Sequence, residues 1–393
     1  MKYKGVRPKE VIMSLDQYLA RVNPFENIGV SRKSVLCFPV LALALAFALP
    51  GLSSGCGDNS TAGEKHDAAV EDSGTMVDGG EDPDAALHDG SATDTGMQDA
   101  EPEPSHNPDE EGPYDLETVE DTVTRDGREI PLTVYIPKGD NEALTPVIVF
   151  VPGFQLNSSR YDVLAQRTAS HGFIYIRSDP PASLWNVSHV AMAEDVSAVL
   201  DWALDPTGPL SGKIDTTAVG AMGHSLGGKV STMAVHRDSR ITALFGIDPV
   251  NEGGGPGGYT ETNPDILPHE LENEAIPVGF AGETVNATAS GLGQACAPEG
   301  KNFIAFYDAA QSSPWKARWD FIGADHMDFV DDVSSCTVCG MCEDGTADPE
   351  EVSASLHILA VAFFRFHFYD ETAMEPWLIG TSLPPNIDVV HNP

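Results

Sequence analysis

The stretch "IDTTAVGAMGHSLGGKVSTMAVHR", residues 214–237, puts more constraint on the fold than any other part of this chain. Its first half is a β-branched and apolar run ending at Met222. Its last part places Val230, Met233 and Ala234 on one helical face, so a strand passes into a helix with only a few residues between them. The turn is Gly223-His224-Ser225-Leu226-Gly227. Glycines two places either side of a serine allow backbone segments to pass at close range, and a tight turn lifts the Ser225 hydroxyl clear of the sheet edge. A plain Gly-rich surface turn would need neither the strand before it nor the helix after it.

The surrounding elements continue the pattern. "EIPLTVYIP" at 129–137 alternates as an early strand, and "TPVIVFVPGF" at 145–154 is a continuous apolar run of the sort a doubly covered strand requires. A helix is expected from Ser159 to Gly172, a strand over "FIYIRSD", and a helix over "SHVAMAEDVSAVLDWAL" with Met192, Val196, Val199 and Ala203 at helical spacing. After the serine turn come the strands "ITALFGID", "IPVGFAG" and "ARWDFIGADH" and a closing helix, "SASLHILAVAFFRFHFY". Alternation of this kind implies an α/β protein with a mostly parallel central sheet and helices on both faces. No internal repeat is visible.

The first 113 residues do not share this pattern. Residues 35–49, "VLCFPVLALALAFAL", follow Arg32 and Lys33 and precede "PGLSSGC", the charged, apolar, small order of an export signal. The run is short for a membrane span. "LSSGC" is similar to a bacterial lipobox, making Cys56 a candidate for lipidation, although Leu52 stands one place too far from the cysteine. Residues 30–56 are therefore read as a signal peptide, and residues 1–29 as an extension ahead of a start near Val30. Residues 57–113 carry 17 acidic groups against Lys65 and few large apolar side chains, a composition that stays disordered.

Of the chain's net −38, residues 57–113 supply −16 and residues 1–56 supply +4, leaving −26 on the expected catalytic domain, 114–393. So acidic a surface excludes nucleic acid and anionic membranes as partners, although Cys56 could tether the chain to a membrane by lipid. A monomer is expected. Beyond Cys37 and Cys56, four cysteines remain: Cys296, Cys336, Cys339 and Cys342. In an exported protein they imply two disulfides of three possible connectivities. The Cys-x2-Cys-x2-Cys spacing lacks the histidine or second pair that a zinc or iron-sulfur site would need, so no metal and no cofactor are expected.

A serine hydroxyl becomes a useful nucleophile only beside an imidazole, and the imidazole needs a carboxylate to fix its tautomer. His326 follows the last apolar strand, in "FIGADHMDFV", and is the candidate base. His357 and His367 lie in the closing helix, His269 is in a Pro-rich loop, and His224 is expected to point away from the nucleophile. For the acid, Asp248 ends the strand directly after the serine helix; Glu283, one strand later, is the rival, and Asp325 adjoins the histidine. Two backbone N–H groups should form the oxyanion hole, one from Leu226 and one from Phe154 in the loop after the central strand.

These residues, with "ASHGFIYI", "GHSLGGKV", "LFGIDPV", "CAPEGKNF" and "GADHMDFVDD" in that order, resemble the chlorophyllase group of α/β hydrolases between about 130 and 370. "VPGF" and the helix after it are similar to bacterial cutinase-like polyester hydrolases. An acid after the strand following the serine helix is shared with platelet-activating-factor acetylhydrolases. The resemblance implies the α/β-hydrolase fold and a triad of Ser225, Asp248 and His326. It differs at Leu226, where that group carries arginine, and chlorophyll as substrate does not carry over.

The expectation is thus an exported serine hydrolase, secreted or held as a cell-envelope lipoprotein, acting on neutral or lipophilic carboxylic esters. An amide hydrolase on the same fold and a non-catalytic binding module on a hydrolase scaffold are the alternatives. Trp185 is a candidate for the substrate site or for packing, the Gly-rich stretch after Asp248 for a lid or a connector, and the Asn-x-Ser/Thr triplets at Asn157, Asn186 and Asn286 are read as chance matches. A bridge from Cys296 to one of the three later cysteines would pin the loop carrying His326.

Overall fold

The computed structural model describes residues 106–139, 144–182, 187–253, 258–288, 295–336 and 339–392, all within a compact unit spanning Asp94–Pro393. The segment read as an export signal, Cys56, most of the acidic segment, Trp185 and Asn186 lie outside the described residues.

Among the described residues nine strands form one sheet in the order β1-β2-β4-β3-β5-β6-β7-β8-β9. β3 (Thr145–Val151), β4 (Ile174–Ser178), β5 (Ile214–His224), β6 (Ala243–Ile247), β7 (Val278–Glu283) and β8 (Lys316–Phe321) run parallel to one another. β1 (Leu116–Arg125) and β2 (Arg128–Pro137) form an antiparallel hairpin at one edge, and β9 (Ile387–Asn392) pairs antiparallel with β8 at the other. The helices are α1 (Asp162–Ser170), α2 (His189–Ala203), α3 (Leu226–Arg237), α4 (Phe303–Ala309), α5 (Pro349–Phe368) and α6 (Glu375–Ile379).

Period-two alternation sorts the strands into two cores. Val147, Val149 and Val151 of β3 face one way and pack with Met192, Val196 and Val199 of α2, Val230 and Met233 of α3, and Phe303 and Phe306 of α4. Ile148 and Phe150 face the other way, against Leu164 and Ala165 of α1 and Leu356, Phe363 and Phe364 of α5. This is why β3 reads as an unbroken apolar run: both its faces are covered.

Two strands were not anticipated. β1 has only one buried residue, Val123, so it lacks an apolar signature. Its signal was the turn: Asp126 and Gly127 both take positive φ (52° and 77°), the conformation an Asp-Gly hairpin favours. β9 shows the same weakness at the opposite edge, where five of its six residues are incompletely buried.

Residues just ahead of 114 also pack onto this unit. His106 is buried and lies 5.9 Å from both the Tyr114 and His171 rings. The Glu110 carbonyl accepts from His171 Nε2, and Gly112 N–H donates to Ser170 Oγ. The last residues of the acidic segment are thus folded against the end of α1.

Candidate active site

Every side chain singled out for chemistry lies at the carboxyl ends of the parallel strands. Ser225 follows β5 with φ 56° and ψ −119°, a conformation that non-glycine residues avoid. The turn is held because Ser225 N–H donates to Ile247 O at 2.9 Å and Val250 N–H to Ser225 O at 3.2 Å. Its glycines are needed for contact. A Cβ on Gly227 would come within 2.0 Å of Val151 O, and one on Gly223 within 2.4 Å of Gly227 C. The turn bearing Ser225 is therefore clamped between β3 and β6, and of its five residues Ser225 alone is partly open to solvent.

Asp248 follows β6, also at positive φ, and is fully buried. His326, 6% exposed, lies in the loop after β8. Its Nε2 is 2.9 Å from Ser225 Oγ and its Nδ1 is 2.6 Å from Asp248 Oδ2. Because a carboxylate only accepts, Nδ1 carries the proton and Nε2 is left to accept from the serine hydroxyl. Glu283 is buried at the end of β7 and makes no hydrogen bond to His326. Its Oε2 accepts the backbone N–H groups of Val285 and Asn286. Asp325 binds Met327 N–H and Gly345 N–H instead.

Three residues that sequence reasoning passed over hold His326 in place. Asn286 Oδ1 accepts His326 N–H at 2.8 Å, and its Nδ2 donates to Glu343 O. On the other side, His224 Nε2 lies 3.1 Å from His326 O, and a carbonyl can only accept, so Nε2 carries a hydrogen. That leaves Nδ1 as an acceptor for Tyr161 Oη, 2.7 Å away. Burial pulls His224 well below the ordinary histidine range, with the neighbouring His326 adding to the effect, so the ring is neutral. The expectation that His224 points away from the site is corrected: its ring centroid is 4.6 Å from that of His326. A strand continuing directly into the elbow carries the side chain before the serine inward, beneath the base.

Tyr161 also lies 3.4 Å from Gly153 N, in the loop after β3. There Leu156 N–H closes a turn onto Gly153 O with Gln155 at positive φ. Phe154 is half-buried against the α2/α3 core, and Leu226 begins α3, where the first backbone N–H groups of a helix lack internal partners.

The cysteines pair as Cys296–Cys342 and Cys336–Cys339. Ala297 N–H donates to Asn286 O, and Glu343 O accepts from Asn286 Nδ2, so the first bridge sits one residue from both partners of the asparagine that holds His326. Of the other histidines, His357 binds Asp331, His367 packs edge-on against Trp315, and His269 is exposed beside Glu272. The described part of the stretch after Asp248 is tied down: buried Lys229 donates to Glu252 O and Pro264 O. Asn157 caps a short helical turn, whereas Asn286 is enclosed.

A mostly parallel sheet with a serine at a strained strand-to-helix turn, and a histidine and an acid on later loops, defines an α/β hydrolase of the serine type. The chlorophyllase family profile matches residues 109–385, and the chain belongs to that family. It is 30% identical over 253 residues to a chloroplastic chlorophyllase of Citrus sinensis, covering 61% of this chain and 73% of that one. It is 26% identical over 206 residues to a bis(hydroxyethyl) terephthalate hydrolase of Streptomyces coelicolor (52% and 57% covered). Over 118 residues it is 30% identical to a cutinase of Thermobifida alba (30% and 38% covered). The protein is a carboxylic ester hydrolase.

Proposed function

We propose that this protein is an exported esterase that cleaves neutral or lipophilic carboxylic esters through an acyl-enzyme on Ser225, with His326 as general base and Asp248 as its acid. The observation that carries the reading is the continuous line Ser225 Oγ, His326 Nε2, His326 Nδ1, Asp248 Oδ2, with links of 2.9 and 2.6 Å. His326 takes the hydroxyl proton as Oγ attacks the ester carbonyl, then returns it to the leaving alcohol; water repeats the sequence to release the acid. The N–H groups of Leu226 and Phe154 are the candidate donors to the tetrahedral oxygen, the first aided by the positive end of α3. Asp248, held by His326, supports the imidazolium formed in each half-reaction.

A net −26 on residues 114–393 disfavours anionic substrates, which supports neutral esters. Phe154 and Leu226, which bear the candidate oxyanion donors, are both apolar and pack with the α2/α3 core, so neither brings a charge to that side of the site. Two disulfides together with the signal-like segment support export.

A fluorophosphonate should label Ser225 alone, and Ser225→Ala should lower kcat by ~10⁴ to 10⁶ on p-nitrophenyl esters of graded chain length, with matched amides poorly turned over. Labelling at another serine, or substantial activity in the alanine variant, rejects the assignment.

A further inference from the structure

Asp248 and Glu283 end adjacent parallel strands, and the backbone puts them side by side. Ile247 pairs with Ala281, and Asp248 N–H donates to Ala281 O at 2.6 Å, which sets Asp248 beside Gly282 and Glu283. Both carboxyl groups are buried, at 0% and 2% exposure. Each has one satisfied oxygen: Asp248 Oδ2 holds His326 Nδ1–H, and Glu283 Oε2 holds Val285 N–H and Asn286 N–H. The other oxygen of each, Asp248 Oδ1 and Glu283 Oε1, is enclosed and makes no well-formed hydrogen bond among the described residues, although the Glu283 backbone N–H lies near enough to the Asp248 carboxylate to favour its ionised form. Two buried carboxylates with two orphaned oxygens would leave two adjacent negative charges uncompensated, which folded proteins avoid. One proton between them removes both the second charge and the missing donor.

We propose that Glu283 is a positioning residue that stays protonated and donates a hydrogen bond from Oε1 to Asp248 Oδ1, so that the pair carries one negative charge and directs it at His326. The assignment rests on the triad reading above, with Asp248 as the acid. Glu283 is the member that keeps the proton because Asp248 faces the histidine, whose N–H favours the ionised form. Burial, and after it the charge of Asp248, pushes Glu283 up to about 8. Burial also raises Asp248, against the opposing hydrogen bond from His326. The titratable groups facing the pair are Asp325 on both sides and His326 on the Asp248 side. Through Asn286, Glu283 also reaches the base by a second route: its Oε2 holds the Asn286 backbone, and Asn286 Oδ1 holds His326 N–H.

The sign of the pH dependence follows. Glu283 binds its proton more tightly folded than unfolded, so its contribution to stability is fully present below the unfolded value of 4.5 and is lost as pH rises towards about 8. Glu283→Gln keeps a donor for Asp248 Oδ1 and an acceptor for Val285 and Asn286 but has nothing to titrate; Glu283→Ala keeps neither.

The deciding measurement is infrared difference spectroscopy on the full-length protein between pH 6 and pH 10, repeated with Glu283→Gln in a Ser225→Ala background so that it needs no turnover. A protonated-carboxyl C=O band should vanish from Ser225→Ala as pH rises through about 8 and be missing from the double variant. Thermal melts should show the Ser225→Ala protein losing stability over the same range more steeply than the double variant. In the otherwise native enzyme, Glu283→Gln should cost less than ~10-fold in kcat/KM at neutral pH and displace the alkaline limb, while Glu283→Ala costs more, ~10- to 100-fold. No such band at pH 6, or a band that persists in the double variant, overturns the proposal whether or not Ser225 proves to be the nucleophile. An alkaline limb identical in the wild type and Glu283→Gln overturns it too.

Discussion

The serine turn and the loop carrying His326 meet at one hydrogen bond, yet they are built in opposite ways. Ser225 is held by local chain geometry. β5 and α3 flank it directly, its own N–H and C=O are bonded to β6 and to Val250, and Gly223 and Gly227 touch through bare backbone. His326 follows a strand, but among the described residues no α-helix begins until Pro349. Its position comes from side chains supplied elsewhere: Asn286 on its N–H, His224 on its C=O, Asp248 on its ring, and the Cys296–Cys342 bridge behind Asn286. A nucleophile can be placed by secondary structure alone, because its turn is a single step between two regular elements. A base that must move a proton back and forth across the same site needs its orientation fixed by tertiary contacts.

If that contrast is right, the elbow should break abruptly and the base loop by degrees. The largest effect is expected from Gly227→Ala, whose methyl would strike Val151 O at 2.0 Å and drive α3 off β3. Fluorophosphonate labelling and activity should both fall by more than ~10³, or the variant should fail to fold, since backbone cannot give way as a flexible side chain can. Ordinary labelling rates in a folded Gly227→Ala protein would show that the glycine is not what fixes the serine.

Next comes Asn286→Ala, which removes the acceptor for His326 N–H and the side-chain donor to Glu343 O without touching Ser225. A fall of ~10- to 100-fold in kcat with KM little changed is expected, the pattern of a misoriented base rather than lost binding. Equal losses in kcat and in substrate affinity would assign Asn286 to the binding site instead. The smallest effects should come from the disulfides, and here the two bridges can be set against each other. Cys296–Cys342 closes a loop across 46 residues and adjoins Asn286, whereas Cys336–Cys339 spans only 3. Cys296→Ser should cost ~2 to 4 kcal/mol of stability and lower kcat/KM a few-fold even well below the new melting point. Cys336→Ser should cost less on both counts. Unchanged low-temperature kcat/KM in Cys296→Ser would make that bridge purely structural and cut the link drawn here from bridge to Asn286 to base.

Legibility in the sequence follows the same division. The central strand β3 was readable because burial on both faces leaves it an almost unbroken run of apolar side chains over Thr145–Val151. The elbow was readable because its glycines are required at fixed spacing around one serine. β1 was missed because an edge strand with a single buried residue has no apolar pattern to show, and only Asp126-Gly127 marked it. Asn286 looked like a chance glycosylation triplet, and His224 like a bystander, because nothing in a linear sequence says which polar side chain is enclosed. Strand order puts Asp248 and its rival Glu283 at the same edge of the sheet and favours Asp248; the hydrogen bond to His326 is a matter of side-chain direction that strand order does not contain.

What this sequence determined by itself was the alternation of elements, the edge of the sheet on which chemistry would gather, and the residue types gathered there. Those depend on periodicity and on turn stereochemistry, which act over a few residues. Only the tertiary structure decided that Asp248 rather than Glu283 meets His326 across 78 positions of chain, and that His326 meets Ser225 across 101. It also decided that Asn286, His224 and Tyr161 hold the base from behind. Hydrogen bonds select partners by position and direction within about 3 Å, and that proximity is set by how β6, β7 and β8 stack beside β5, long after each strand has formed from its own residues.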